Sequence, residues 1–261
     1  MKMDEKTRQE SFMWSRTTFH SEYNRYLAQY KVESCLENIR GTSLLDLACG
    51  DGLMTGMFAR KMSRVVGVDA NGAILAEARK RHPEIEFHES LVEDLSLNEK
   101  FDTVTMLDLL EHVVDPIALL QKAASFLSDD GVLIIHVPNA QAINRRLAVL
   151  MGTLESCEEL SPFDINVAGH RRSYSLATLT ADIERAGLKC ESTGGIFYKI
   201  LSTPQMDWFL KNGLWEEGGF GWGRVGAEGT RDWKDSFCRA SYELGKEHPG
   251  DCNIIYACVT K

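Results

Sequence analysis

The chain has no apolar run approaching the roughly eighteen residues that a membrane-spanning helix needs. Its opening residues, Met1-Lys2-Met3-Asp4-Glu5-Lys6, carry charges where a secretion signal would carry an apolar core. Together these absences predict a cytoplasmic protein without a membrane span. It also has no C-x-x-C pair. Its seven cysteines (Cys35, Cys49, Cys157, Cys190, Cys238, Cys252 and Cys258) are widely scattered, which argues against zinc and dithiol motifs and predicts reduced thiols. Positive charge is scarce as well: 29 Lys and Arg face 38 Asp and Glu, and a net charge of −9 repels a polyphosphate backbone, so no nucleic-acid partner is expected. There is no internal repeat and no low-complexity tail.

What is present reads as one α/β domain. A length of 261 residues, with 44% hydrophobic and 26% charged residues, suits a single core with an embellishment better than two independent domains. Short apolar runs at 43–48, 64–69, 85–88, 101–107 and 131–137 predict strands, and helix-like segments at 53–62, 71–81 and 116–127 alternate with them, the rhythm of a parallel sheet. Downstream, 176–186 followed by Gly187 predicts a helix with a glycine stop, and 188–196 and 253–260 predict two more strands, seven in all. The expected fold is a doubly wound, seven-stranded, mostly parallel sheet with helices on both faces. Residues 1–42 are assigned to N-terminal helices, since Phe12, Phe19, Tyr23, Tyr26, Leu27 and Tyr30 recur at helical spacing, and 43–137 to a cofactor-binding core. Two stretches, 138–174 and 204–250, break the rhythm and are expected to be substrate-side insertions. The second holds four of the five tryptophans and the run Glu217-Gly218-Gly219-Phe220-Gly221-Trp222-Gly223, and a surface subdomain or a homodimer contact is its alternative reading.

The segment with the most chemistry is Leu44-Leu45-Asp46-Leu47-Ala48-Cys49-Gly50-Asp51-Gly52, with Thr55-Gly56 beyond it. An apolar strand runs into a glycine turn where missing side chains let the backbone approach a ligand. Nineteen residues after Gly50, the second strand ends on Asp69, where a carboxylate can hold both hydroxyls of a ribose. A dinucleotide fingerprint would place its third glycine one residue earlier, and Asp46 and Asp51 flank the turn where a pyrophosphate would have to sit. A cofactor with an ammonium and a sulfonium meets complementary charge there instead.

On these residues, 44–138 resembles the class I S-adenosylmethionine-dependent methyltransferases, with a weaker match over 169–195. The resemblance implies a Rossmann-like fold, S-adenosyl-L-methionine as methyl donor and S-adenosyl-L-homocysteine as product. It implies cofactor contacts at Asp46, Ala48, Cys49, Gly50, Gly52, Asp69, Ala70, Asn71, Leu91, Val92, Glu93 and Leu107. Leu91 stands where many members carry an Asp, which shifts adenine selection to the Val92 backbone and to apolar packing by Ala70 and Leu91. The segments 131–139 and 169–174 resemble a subgroup of ubiquinone-pathway and biosynthetic-cluster small-molecule O-methyltransferases.

Methyl transfer asks the protein to hold an acceptor atom behind the sulfonium carbon, exclude water and, for a hydroxyl, remove a proton. His112, in the turn after the fourth strand, and His170 are the candidate catalytic residues; a purely structural role for His112 stands beside that reading. His136, Asn139, Arg171, Arg172 and Tyr174 are the candidate substrate-binding residues, with burial in the core as the alternative reading of His136, and with the two guanidiniums suited to an anionic acceptor, or else forming a solvated loop. No Asn/Asp-Pro-Pro-aromatic signature, no Pro-Cys pair and no evident carboxylate cluster is present, so a metal-free O-methyltransferase of a small molecule is expected, ahead of an N- or carboxyl acceptor. An NAD-dependent oxidoreductase and a non-catalytic S-adenosylmethionine-binding protein are the competing readings.

Overall fold

A computed structural model describes residues 5–11, 21–212 and 233–261. Met1 to Asp4, Phe12, Phe19, Trp215, Trp222 and the run 217–223 lie outside them. Seven strands form one sheet: β1 (Ser43–Leu47), β2 (Arg64–Asp69), β3 (Glu86–Glu89), β4 (Phe101–Leu107), β5 (Leu127–Pro138), β6 (Lys189–Ile196) and β7 (Ile254–Thr260). Their order is β3-β2-β1-β4-β5-β7-β6. Pairings from β3 through β5 are parallel, and β7 runs antiparallel to both β5 and β6. Since β1 is followed by β2 on one side and paired with β4 on the other, winding reverses between β1 and β4, opening a crevice beyond their carboxyl ends.

Period-two burial explains the two faces. Leu45, Leu47, Val66, Val68, Val104 and Met106 pack on one face with α5 (Pro116–Ser125) and α7 (Leu176–Arg185). Leu44, Val65, Val132 and Ile134 pack on the other with α2 (Glu22–Leu36), α3 (Leu53–Ala59) and α4 (Gly72–Arg81), after a short α1 (Glu5–Glu10) at the start of the described chain. Helix starts follow their caps: Asn71 Oδ1 accepts from the N–H groups of Ala73 and Ile74, Asp115 precedes Pro116, and Ser175 forms a capping box with Thr178. A third cluster joins Tyr23, Tyr26 and Tyr30 of α2 to α8 (Thr203–Asn212) and α9 (Trp233–Glu247).

Differences from the sequence reading have local causes. β5 begins at Leu127, not residue 131, because Leu127 pairs with Phe101 across a register shift. α3 stops at Ala59, short of residue 62, since the N–H groups of Lys61 and Met62 both return to the Phe58 carbonyl and turn the chain toward β2. Both arrhythmic stretches contain helices: α6 (Ile143–Leu150), none of whose residues is buried, and α8 and α9. In α9 the buried positions Cys238, Ser241, Tyr242 and Gly245 have the 3.6-residue period, diluted by small and polar members. No helix among the described residues is long and apolar enough to cross a membrane.

One side chain stitches two strands together, and another joins the sheet to a helix. Asp102 of β4 accepts from the N–H groups of Thr42 and Ser43 at 2.9 and 3.1 Å and from Ser43 Oγ at 2.9 Å, tying the start of β1 to β4. His136 of β5 is fully buried, with Nε2 3.5 Å from Cys35 Sγ of α2, which places it inside the packed core. Burial, with Lys31 adding to it, holds its pKa at about 3.

Asp102→Ala should therefore cost about 1.5–3 kcal/mol, the worth of hydrogen bonds to a charged group, and lower Tm by several degrees; an unchanged Tm in a thermal melt would refute the stitch. For His136 the unfolded imidazole takes up a proton near pH 6.5 while the folded one stays neutral down to about pH 3. Stability attributable to this group falls as pH drops through that window, by up to about 1.4 kcal/mol per pH unit. His136→Gln should flatten the slope of unfolding free energy between pH 6 and 4 in urea titrations, and an identical slope would contradict the assignment.

Candidate active site

The crevice beyond β1, β2, β4 and β5 is a cleft of about 360 Å³. Its floor is the turn after β1, where Ala48 (φ 60°) and Gly50 (φ 56°) adopt left-handed conformations, an uncommon one for alanine and a mark of a tightly held site. Cys49 N–H donates to Val68 O at 2.9 Å, and Gly50 N–H donates to Asp69 Oδ2 at 2.9 Å. A Cβ built on Gly50 would meet nothing within 4 Å, so the space beside it is open to a ligand. Asp69 Oδ1 accepts from Asn71 N–H at 2.9 Å, so both carboxylate oxygens are fixed from behind by backbone and keep a second lone pair for other donors. Burial raises the Asp69 pKa, and the N–H groups of Asn71, Gly50 and Ala70 oppose that rise.

Ala48, Cys49, Gly50, Asp69, Ala70, Asn71, Leu91, Val92, Glu93 and Leu107 all line this cleft. Two residues paired with them from sequence do not. Asp46 is buried beneath the turn, where it accepts from Thr55 Oγ1 at 2.7 Å and Thr105 Oγ1 at 2.8 Å. Gly52 starts α3 with φ 72°, and a Cβ there would sit 3.0 Å from Ala78 and 3.3 Å from Phe87, so it is a packing glycine. Asp51 does line the cleft, but Arg81 Nη1 lies 3.0 Å from its Oδ2. The two flanking carboxylates thus do not act together: one is submerged and the other is paired.

At the opposite end, Glu111, His112 and His170 converge, each offering one donor atom within 4.8 Å of the others. Glu111 is 1% exposed and both of its carboxylate oxygens lack hydrogen-bond partners. His112 Nε2 lies 3.7 Å from Glu111 Oε1, and the two imidazole centroids are 4.9 Å apart, edge to face. A π-helical turn at Asp164–Ala168 delivers His170: His170 N–H donates to Asp164 O at 2.8 Å, and His170 Nδ1 lies 3.6 Å from Asp164 Oδ1. Burial pushes the Glu111 pKa well up, helped by nearby Asp108, and pushes His112 down to about 3, helped by His170. Burial also lowers His170. A carboxylate and two neutral imidazoles can accept and pass a proton, or take up a cation.

The remaining substrate candidates lie elsewhere. Arg171 Nε donates to His112 O at 2.8 Å and its Nη2 contacts Glu5 at 2.7 Å. Arg172 donates to the carbonyls of Leu110, Val113 and Val114 at 3.0, 2.6 and 3.1 Å. The guanidiniums thus brace the turn after β4 from behind. Asn139 Nδ2 donates to Gly250 O and Cys252 O, and the buried Tyr174 hydroxyl donates to Asp182 Oδ2 at 3.0 Å. None of these four, nor His136, lines the cleft. Sequence reasoning missed Glu111, Asp108, Lys31 and Glu5, all in the wall. Lys31 Nζ pairs with Asp108 Oδ2, and Asp108 has φ 58°. The available signals were a lysine four residues from Leu27 on an apolar helix face, and carboxylates three residues apart beside His112.

Comparisons agree with this geometry. Residues 19–193 match the model of a family described as a methyltransferase domain. The ubiquinone biosynthesis O-methyltransferase of Rhodopseudomonas palustris (strain TIE-1) is 32% identical over 124 residues, 46% of this chain and 48% of that protein. The chain thus spans about half the length of that relative. The enzyme of the same name from Haemophilus ducreyi is 29% identical over 182 residues, 66% of this chain and 75% of that protein. An S-adenosylmethionine-dependent methyltransferase from Mesorhizobium loti, 17% identical, shares the fold with a TM-score of 0.57 over 88% of this chain and 96% of that one. A family match across most of the chain, centred on the switch-point cleft, establishes that it belongs to the class I S-adenosylmethionine-dependent methyltransferases.

Proposed function

We propose that this chain transfers the methyl group of S-adenosylmethionine to a hydroxyl of a small molecule. The observation that carries the reading is the Asp69 carboxylate, held by the N–H groups of Gly50 and Asn71 beside the open space at Gly50. Two pre-oriented oxygens at the end of β2 suit the two hydroxyls of a ribose. The cleft is also lined by Ala70, Leu91 and Val92, an apolar set for an adenine ring, and by Asn71 and Glu93. Ala48, Cys49, Gly50 and Leu107 line the same cleft and suit the methionine arm. When bound, the donor supplies an electrophilic methyl on a sulfonium. The protein's part is to hold the acceptor in line, keep water out and manage one proton.

The acceptor end supports a neutral hydroxyl over an anion. Arg171 and Arg172 are committed to carbonyls and Glu5, and Lys31 is paired with Asp108, so the cations near the cleft already have partners. His112 and His170 flank that end and orient the acceptor's oxygen. With a pKa near 3, His112 positions better than it takes a proton. The names of the relatives, O-methyltransferases both, favour oxygen as the atom methylated.

Calorimetric titration should show saturable binding of S-adenosylhomocysteine and none of NADH. Asp69→Ala should weaken the former by about ten- to a hundredfold, the loss of hydrogen bonds to a charged group. NADH binding without S-adenosylhomocysteine binding would overturn the reading, and an Asp69→Ala variant with native affinity would remove Asp69 from it.

A further inference from the structure

The residues assigned to the cofactor belong to β1, β2, the turn after β3 and the end of β4, but the cleft wall continues along the same edge of the sheet. Pro138 at the end of β5 and Ile254 at the start of β7 line it, and β6 ends on Ile196, the partner of Ile254. From Ile196 the chain runs to Thr203, the first residue of α8, which also lines the cleft. Thr203 Oγ1 accepts from Lys199 Nζ at 2.9 Å, and since that bond uses an oxygen lone pair, the Thr203 hydroxyl keeps its proton for another acceptor. Lys199 is 4% exposed, and among the described residues it pairs with no carboxylate. Its ammonium rests on the Tyr23 ring, 4.4 Å from the centroid. Asp207 exerts the one opposing charge on it, and Asp207 Oδ1 already accepts from Ser21 Oγ at 2.8 Å and Tyr23 N–H at 3.0 Å. Lysines are rarely buried without an acid, and Lys31, the other buried lysine among the described residues, has Asp108. Lys199 is thus a buried cation with one acceptor for its three donors, one hydrogen bond behind a hydroxyl that faces the cleft.

We propose that Thr203 and Lys199 form a subsite for a carboxylate carried by the methyl acceptor, so that the molecule methylated is a hydroxy acid. This rests on the reading of the chain as a hydroxyl methyltransferase. Thr203 donates its hydroxyl proton to the carboxylate. Lys199 is a positioning residue: it turns that hydroxyl toward the cleft and supplies the opposite charge. A carboxylate oxygen bonded to Thr203 stands within about 6 Å of Nζ, and the attraction is weakly screened because Lys199 is out of water. The oxygen methylated stays a neutral hydroxyl, and the carboxylate is a second group of the same molecule. Its charge meets Lys199, which stands behind the wall, and leaves the committed Arg171, Arg172 and Lys31 undisturbed. Burial lowers the Lys199 pKa to about 7 and Asp207 opposes that, so an arriving negative charge holds the ammonium in its protonated form. Leu27 and Ile254, which belong to the apolar cluster that holds α8, line the cleft as well and offer a surface to the acceptor's carbon skeleton.

The test is calorimetry on the whole protein saturated with S-adenosylhomocysteine, comparing 3- and 4-hydroxybenzoate with the corresponding hydroxybenzamides, which keep the ring, the hydroxyl and a carbonyl but lose the charge. The native protein should bind one of the acids at least tenfold more tightly than its amide. Lys199→Met, which keeps an unbranched side chain in the packed site and removes the charge, should bring acid and amide within twofold of each other, with S-adenosylhomocysteine affinity within threefold of native. Should Lys199→Met fail to fold, Thr203→Val, which keeps the shape and removes the hydroxyl, should lower the acid's affinity at least fivefold and the amide's by less. A side chain that only supports the fold would weaken acid and amide alike. Equal affinity for acid and amide in the native protein overturns the proposal, as does an acid preference that survives substitution, or binding of neither probe. Failure of the native protein to bind S-adenosylhomocysteine at all would instead sink the methyltransferase reading beneath it, whereas methylation of the amide with no preference for the acid would keep that reading and remove the subsite.

Discussion

Two backbone N–H groups, from Gly50 and Asn71, hold the Asp69 carboxylate, and the geometry of the cleft follows from that hold. Gly50 can point its N–H at Asp69 because the turn after β1 is left-handed at Ala48 and Gly50, and the turn stays beside β2 because Cys49 N–H donates to Val68 O. The parallel pairing of β1 with β2 and β4 brings the ends of three strands to one edge. With β4 on the other side of β1, the edge opens into a crevice instead of being filled by a crossover helix. Even the buried Asp46 serves this hold, since its bonds to Thr55 and Thr105 anchor α3 and β4 under the same turn.

The two ends of the cleft handle charge differently. At the β2 end, a buried carboxylate is stabilised by backbone donors, so its charge is satisfied before any ligand arrives. At the β4 end the carboxyl of Glu111 has no such donors, and the imidazoles beside it are held neutral by burial. An environment that penalises charge on every member of a cluster favours a reaction that removes charge. The arginines bracing the turn from outside keep the cluster in place without adding an unpaired cation to it.

Much of the fold was legible from local pattern. β2 and β4 have the bounds their alternation predicts, α4 begins after the asparagine that caps it, and the glycine turn and the Asp69 nineteen residues on both line the cleft. Each of these is a short-range property: side-chain alternation, a cap reaching two or three residues, a glycine in a left-handed turn. The helices of the late insertions were less legible, because α6 buries nothing and the buried face of α9 includes a serine and a glycine, which carry little hydropathy signal.

By itself, then, the sequence determined the strand and helix order, the glycine turn and the acid at the end of β2, because these depend on neighbours a few residues away. Tertiary structure alone decided which polar side chains face the cleft. Arg172 finds its carbonyls about sixty residues upstream, His136 meets Cys35 one hundred and one residues away, and Lys31 meets Asp108 seventy-seven residues away. Whether an arginine clamps a substrate or braces a turn, and whether a glutamate is paired or left open, depends on such distant partners and on the burial they create. Residue type and spacing carry no record of either.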